Sequence, residues 1–221
     1  MCGRYTLFTE RDLSELEAIR NYISRQFGAP AAQALPEADV CPGMLAPVLL
    51  AAAQPLATAT AMPAGKDHAA LPAKPGSYIA CLMKWGYLLT GKRQLLINAR
   101  AETAAQKPLF AADFKTRRCA VPATGFYEWE SGAGRGRAGA GHCFFAPQQE
   151  LLYLAGLYHG SADTGWQFVI LTQAAAEPVK SIHARMPLLL TKAQLLPYLG
   201  GGELNLLPTD RAVDLAHRQI S

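Results

Sequence analysis

The sequence predicts an α+β chain: one domain dominated by antiparallel β-strands, with helices at its periphery. Three observations carry that expectation. Seven short apolar runs are each bounded by Gly, Pro or polar residues, which is how strands are punctuated. Helical periodicity is confined to the amino-terminal end and to short later pieces. The chain's 221 residues, 50% of them hydrophobic, supply enough apolar material for one core of this kind, and no internal repeat divides it.

Taken in order, TERDLSELEAIRNYISRQFG reads as the first helix. Thr9 can cap it, Leu13, Leu16, Ile19, Ile23 and Phe27 recur at helical spacing, and Gly28 can end it. From Pro30 to Gly76 the chain is rich in Ala, Pro and Gly, with PVLLAAA as a strand candidate. The remaining strand candidates are SYIACLMKWGY, QLLINAR, RCAVPATGFYEWE, HCFFAP, ELLYLAGLYHG and WQFVILTQ. Between them, ETAAQKPLFAADFK looks helical but carries Pro108, and SGAGRGRAGAG (131–141) reads as a mobile hairpin loop. TKAQLLPYL and PTDRAVDLAHRQIS read as short carboxy-terminal helices.

Composition excludes several classes of protein. No stretch approaches the roughly 20 apolar residues of a membrane span, and the amino terminus lacks the basic and then apolar run of a secretory signal. A cytoplasmic protein is expected. Cys2, Cys41, Cys81, Cys119 and Cys143 are odd in number and form no C-x-x-C pair, so neither a zinc site nor a disulfide framework is indicated, and no cofactor is expected. The net charge of +4 is unevenly spread. Between Lys84 and Arg137 ten basic residues face four acidic ones, an excess that suits either a polyanion-binding face or a plain solvated one.

Polar residues stand at the strand ends. INARAET places Asn98, Arg100 and Glu102 at alternate positions, on one face of an extended chain. GFYEWE sets Glu128 between Tyr127 and Trp129, an aromatic setting that can raise a carboxyl towards the general-acid range. SIHARMP puts His183 and Arg185 on one face. Taken singly, each also reads as a turn asparagine, a solvent-facing carboxylate or a loop histidine, and both readings stand.

With the opening MCGRYT, these pieces form a set. MCGRYT, the V-x-P-G turn (Val40 to Gly43), WGY (Trp85 to Tyr87), INARAET, RCAVPATGFYEWE and IHARMPLLL occur in the order of the SRAP family, the SOS response-associated peptidases or abasic site processing proteins, which this chain resembles from Cys2 to about Leu190. The resemblance implies a barrel-like or sandwich β core and a monomer that binds single-stranded DNA containing abasic sites, nucleoid-associated if bacterial. It casts Cys2, Asn98, Glu128 and His183 as catalytic and Arg4, Arg100 and Arg185 as phosphate or DNA contacts, while the aromatic face of Trp129 suits stacking on a base beside the lesion. The chain departs from the family in having Asp39 where Asn is usual, in lacking P-x-W after the W-G pair, in a longer stretch from Leu50 to Ser77, and in its closing segment.

The residue types suit the chemistry that the resemblance implies. An α-amine titrates near about 7.7–8.0, so roughly a tenth is unprotonated at neutral pH, far more than for a lysine. Once Met1 is removed, the Cys2 amine can form an imine with an abasic aldehyde, and its thiol can close a thiazolidine. Removal of Met1 can be autoproteolytic, as the family's peptidase name implies, or the work of an aminopeptidase. The rival is an amino-terminal-nucleophile amidohydrolase, since class II glutamine amidotransferases also begin Met-Cys-Gly. Those enzymes generally use an Asn-Gly pair, and this chain has none.

Overall fold

The computed structural model describes residues 2–7, 14–36, 38–52, 77–89, 94–130, 139–147, 151–161, 163–202 and 213–220. At its centre five strands close on themselves: β3 (Leu45–Ala51), β4 (Tyr78–Trp85), β8 (Arg118–Ala123), β11 (Leu152–Ser161) and β12 (Gly165–Ala174). They neighbour one another in the order β12-β4-β3-β8-β11, and β11 returns to pair with β12. All the pairings are antiparallel except β12 with β4, which is parallel at Gln167↔Lys84 and Phe168↔Trp85. Closure leaves these five strands without a free edge between them. It also buries both faces, so Val48, Leu49 and Leu50 are all inaccessible instead of alternating. The expected α+β architecture with a barrel-like core is therefore the one observed.

A second sheet lies on the barrel, in the order β15 (Ala216–Ile220), β10 (Gly141–Phe145), β9 (Gly125–Trp129), β1 (Tyr5–Thr6) and β2 (Asp39–Val40), all antiparallel. β9 follows β8 almost directly, so one run of chain passes from barrel to sheet. Aromatic rings pack within each body, and the Tyr5–Trp85 pair joins the two. Tyr5 meets Trp85 at 5.2 Å between centroids, Trp85 stacks on Phe168 at 6.3 Å, and Phe126 stacks on Phe144 at 5.3 Å. Such pairs add about 0.5–1.5 kcal/mol each beyond their burial.

The helices latch onto the outside. In α1 (Ser14–Phe27) Leu16, Ile19 and Ile23 are buried at helical spacing, and Gly28 turns the chain at φ 86°. Glu15 accepts the hydroxyl protons of Tyr78, at 2.9 Å, and Tyr153, tying α1 to two barrel strands. Residues 8–13 lie outside the described residues, and the cap expected at Thr9 lies with them. α5 (Lys192–Leu199) starts with a capping box between Thr191 and Gln194 and is pinned by the Tyr198 hydroxyl donating to the Gly156 carbonyl at 2.7 Å.

Three local expectations change. Pro108 lacks the amide a helix interior needs, so ETAAQKPLFAADFK divides into α3 (Ala101–Ala104) and α4 (Pro108–Thr116), with the proline at the start of the second. The end of PTDRAVDLAHRQIS forms strand β15, because the edge of β10 offers five cross-strand partners from Gly141 to Phe145. The basic run is not one surface. Arg117 pairs with Asp113 at 2.5 Å, and Arg118 is buried, donating to the Phe114 carbonyl at 2.8 Å and the Gly202 carbonyl at 2.5 Å. Residues 131–138 of the expected hairpin loop lie outside the description, although β9 and β10 pair as a hairpin requires.

Candidate active site

Cys2 lies just ahead of β1 and is completely buried, its thiol donating to the Arg4 carbonyl at 3.5 Å. Burial, and after it the negative charge of Glu128, pushes this thiol well above the ordinary range. At neutral pH it is therefore held as a neutral S–H.

Asn98 opens β7 (Asn98–Arg100), which lies parallel to β12 with Asn98 opposite Ile170. Its side-chain amide donates to the Cys2 carbonyl at 2.8 Å. The amide therefore grips the main chain of Cys2 through its donor. Its oxygen is buried and finds no partner among the described residues.

Glu128 is placed by strand alternation. Along β9, Phe126 and Glu128 turn inward, and Tyr127 and Trp129 turn to the opposite face. The aromatic setting anticipated for Glu128 thus belongs to Arg4, whose guanidinium lies 5.5 Å from the Tyr127 ring centroid and 5.3 Å from that of Trp129. The Glu128 carboxyl is nonetheless raised above its usual range. Burial is the main cause, and the positive charge of His183 works against it. His183 follows a 3-10 turn (Val179–Ser181) and donates its amide to the Val179 carbonyl at 2.8 Å. Its Nδ1 stands 3.7 Å from Glu128 Oε2, 2.9 Å from the Arg185 carbonyl and 3.1 Å from the Arg185 amide.

Cys2 is thus bonded by Asn98 and faces the charge of Glu128, which His183 flanks, although 96 residues separate Cys2 from Asn98 in sequence. Such a set can hold a nucleophile's main chain in place and move protons between a carboxyl, an imidazole and a thiol. The residues expected to contact DNA are dispersed around it. Arg4 also faces Asp39 at 3.6 Å, and Asp39 in turn accepts the Tyr127 hydroxyl at 2.9 Å. Trp129 is half-buried and Arg100 is exposed. Arg185 forks onto Glu102 at 2.6 and 2.9 Å. The alternation expected to place Glu102 beside Asn98 ends at Arg100, because the chain turns into α3 at Ala101. Sequence reasoning missed the Arg185–Glu102 pair and the Asp39–Tyr127 support of Arg4. Complementary charges within the recognised motifs were the available signal for both.

Among the described residues no group of three His, Cys, Asp or Glu is placed to hold a metal ion, and no helix is long and apolar enough to cross a membrane.

Fold and site together define an α+β protein in which a β barrel carries a buried cysteine gripped by an asparagine. The chain belongs to the SOS response associated peptidase (SRAP) family, whose family model matches residues 1–213. It is similar to the abasic site processing protein YobE of Bacillus subtilis, 28% identical over 197 residues that cover 86% of this chain and 78% of the relative. YoqW of the same organism, with the same description, is 28% identical over 200 residues, covering 86% of this chain and 76% of the relative. The abasic site processing protein HMCES of Xenopus tropicalis is 28% identical over 144 residues, 54% of this chain and 41% of that protein. Among solved structures, a protein from Bordetella bronchiseptica superposes with a TM-score of 0.62 at 20% identity, each chain covered in full, a likeness of fold.

Proposed function

We propose that the chain, acting as one SRAP-like domain over 1–221 and as a cytoplasmic or nucleoid-associated monomer, processes abasic sites in single-stranded DNA by joining Cys2 covalently to them. The observation that carries this reading is the Asn98 amide on the Cys2 carbonyl, beside Glu128 and His183. The curated relatives' names point to the same substrate.

The reaction needs Met1 removed, because an acylated nitrogen cannot form an imine. The free Cys2 amine attacks the aldehyde carbon of the ring-opened sugar, a C–N bond forms, and water leaves with a proton supplied by Glu128 acting as general acid. The buried, neutral thiol is a poor first nucleophile, so the amine acts before it. Sγ then adds to the imine carbon and its proton passes to the nitrogen, closing a thiazolidine. Overall one molecule of water is lost. His183 opens the sugar ring by moving the hydroxyl proton, and Arg4, Arg100 and Trp129 receive the strand. The amidohydrolase reading is not favoured, since the chain belongs to a different family.

Intact mass spectrometry tests this directly. Protein produced in a cell should lack Met1. Mixed with a single-stranded oligonucleotide carrying one abasic site, it should give an adduct, stable to denaturant, at the summed mass less one water. Full adduct formation by protein that retains Met1 would contradict the mechanism.

A further inference from the structure

The Glu102–Arg185 ion pair joins the segment that follows Asn98 to the segment that follows His183. Glu102 sits on α3, directly after β7, the strand that begins with Asn98. Arg185 begins β13 (Arg185–Pro187), two residues after His183. Both strands lie against β12, β7 through Thr172↔Arg100 and β13 through Ala174↔Arg185. The guanidinium bridges them: Nη1 donates to Glu102 Oε1 at 2.6 Å, while Nη2 donates to Glu102 Oε2 at 2.9 Å and to the Thr172 carbonyl at 2.6 Å. Bidentate, charge-assisted pairing of this kind fixes direction as well as distance.

We propose that Glu102 is a positioning residue for the reaction, acting through Arg185 to set the His183 imidazole against Glu128 and to fix the spacing between the strands that carry Asn98 and His183. The proposal rests on the abasic-site reading for its kinetic consequence. The link from Arg185 to the imidazole is short, since His183 Nδ1 folds back onto the Arg185 peptide, 2.9 Å from its carbonyl and 3.1 Å from its amide. Any rotation of the Arg185 backbone moves the imidazole, which stands only 3.7 Å from Glu128. The fork of Arg185, a residue expected from the sequence to contact DNA, is engaged by Glu102, with the Arg185 side chain 17% exposed. The pair also acts on Glu102, whose carboxyl is held below its usual range chiefly by the Arg185 hydrogen bonds, so the pair persists at neutral pH.

The test compares wild type with Glu102→Gln, which keeps the size of the side chain and removes its charge. Crosslinking to single-stranded abasic DNA is followed as a function of DNA concentration. The maximal rate should fall about ten- to a hundredfold, the scale of a misplacement near 1 Å, while the half-saturating DNA concentration stays unchanged. Arg185→Lys, which keeps the charge and loses the fork, should show the same loss of rate. A separate readout needs no DNA: the imidazole NMR signal of His183 should be displaced in Glu102→Gln and unmoved in Glu17→Gln, an exposed control on α1. A maximal rate equal to wild type, or a defect confined to half-saturation, would overturn the proposal. If wild type itself forms no adduct, the abasic-site reading fails, and an unmoved His183 signal is then the result that overturns this inference.

Discussion

Asp113 and Glu128 are equally buried, each 1% exposed, but their surroundings differ. Asp113, on α4, is gripped by donors from three directions: the Tyr87 hydroxyl at 3.0 Å, Arg117 Nε at 2.5 Å and His159 Nδ1 at 3.4 Å. Burial first and Asp113 second push the Tyr87 hydroxyl far above its usual range, so it remains a permanent donor. Glu128 sits instead near the buried thiol of Cys2 and the imidazole of His183. Burial alone therefore does not mark a reactive carboxylate. The neighbours differ: three side chains bond Asp113, whereas Glu128 lies beside the cysteine whose main chain Asn98 holds, and we expect only Glu128 to act in the reaction.

The comparison breaks most visibly on substitution of the two carboxylates. Glu128→Gln should lower the crosslinking rate by about 10²–10⁴, the usual worth of a positioned general acid. Its stability should change in the opposite sense. Because the folded-state value of Glu128 is raised above about 4.5, its contribution to stability is fully present below that pH and is lost as pH rises through the raised value. A glutamine cannot ionise, so the melting temperature of the variant should gain on wild type progressively above that point. Asp113→Asn should do the reverse. It leaves Arg117 and Tyr87 imperfectly paired and should cost about 1–3 kcal/mol, with about 2–4 °C lost per kcal/mol, while the crosslinking rate at saturating DNA holds. Melting curves paired with single-turnover rates check both, and a slow Asp113→Asn or a fast Glu128→Gln would dissolve the distinction. The smallest effect belongs to the exposed Arg100. Its replacement by alanine should flatten the log-log dependence of single-strand affinity on salt by about 0.7, and an unchanged slope would place it away from the phosphates.

Much of this was legible in the sequence, and the illegible parts share a cause. The strand runs and the first helix announce themselves because their signals are local: Leu16, Ile19 and Ile23 repeat along one helix, and HCFFAP is punctuated at both ends. Asn98, Glu128 and His183 were findable only as a set, through family motifs, since nothing in INAR says that its asparagine will reach a carbonyl 96 residues away. Pairings across the molecule stayed hidden. The parallel contact of β12 with β4 and the capture of the last strand by β10 bring together strand edges from distant parts of the chain. Charge was misleading for the same reason. Arg117 and Arg118 stand close to the exposed Lys115 in sequence, but Asp113 and the Gly202 carbonyl hold them.

The central claim is that Cys2 uses both its amine and its thiol, and one gel separates them. Processed wild type, incubated with single-stranded DNA containing one abasic site and run under denaturing conditions without borohydride, should give a shifted band, because a thiazolidine survives where an imine hydrolyses. Cys2→Ser keeps the amine, but its hydroxyl is barely ionised at neutral pH, whereas a thiol near about 8.5 is a few per cent thiolate before burial. It should give the band only when borohydride traps the imine. An unreduced, denaturation-stable band from Cys2→Ser equal to that of wild type would contradict the account.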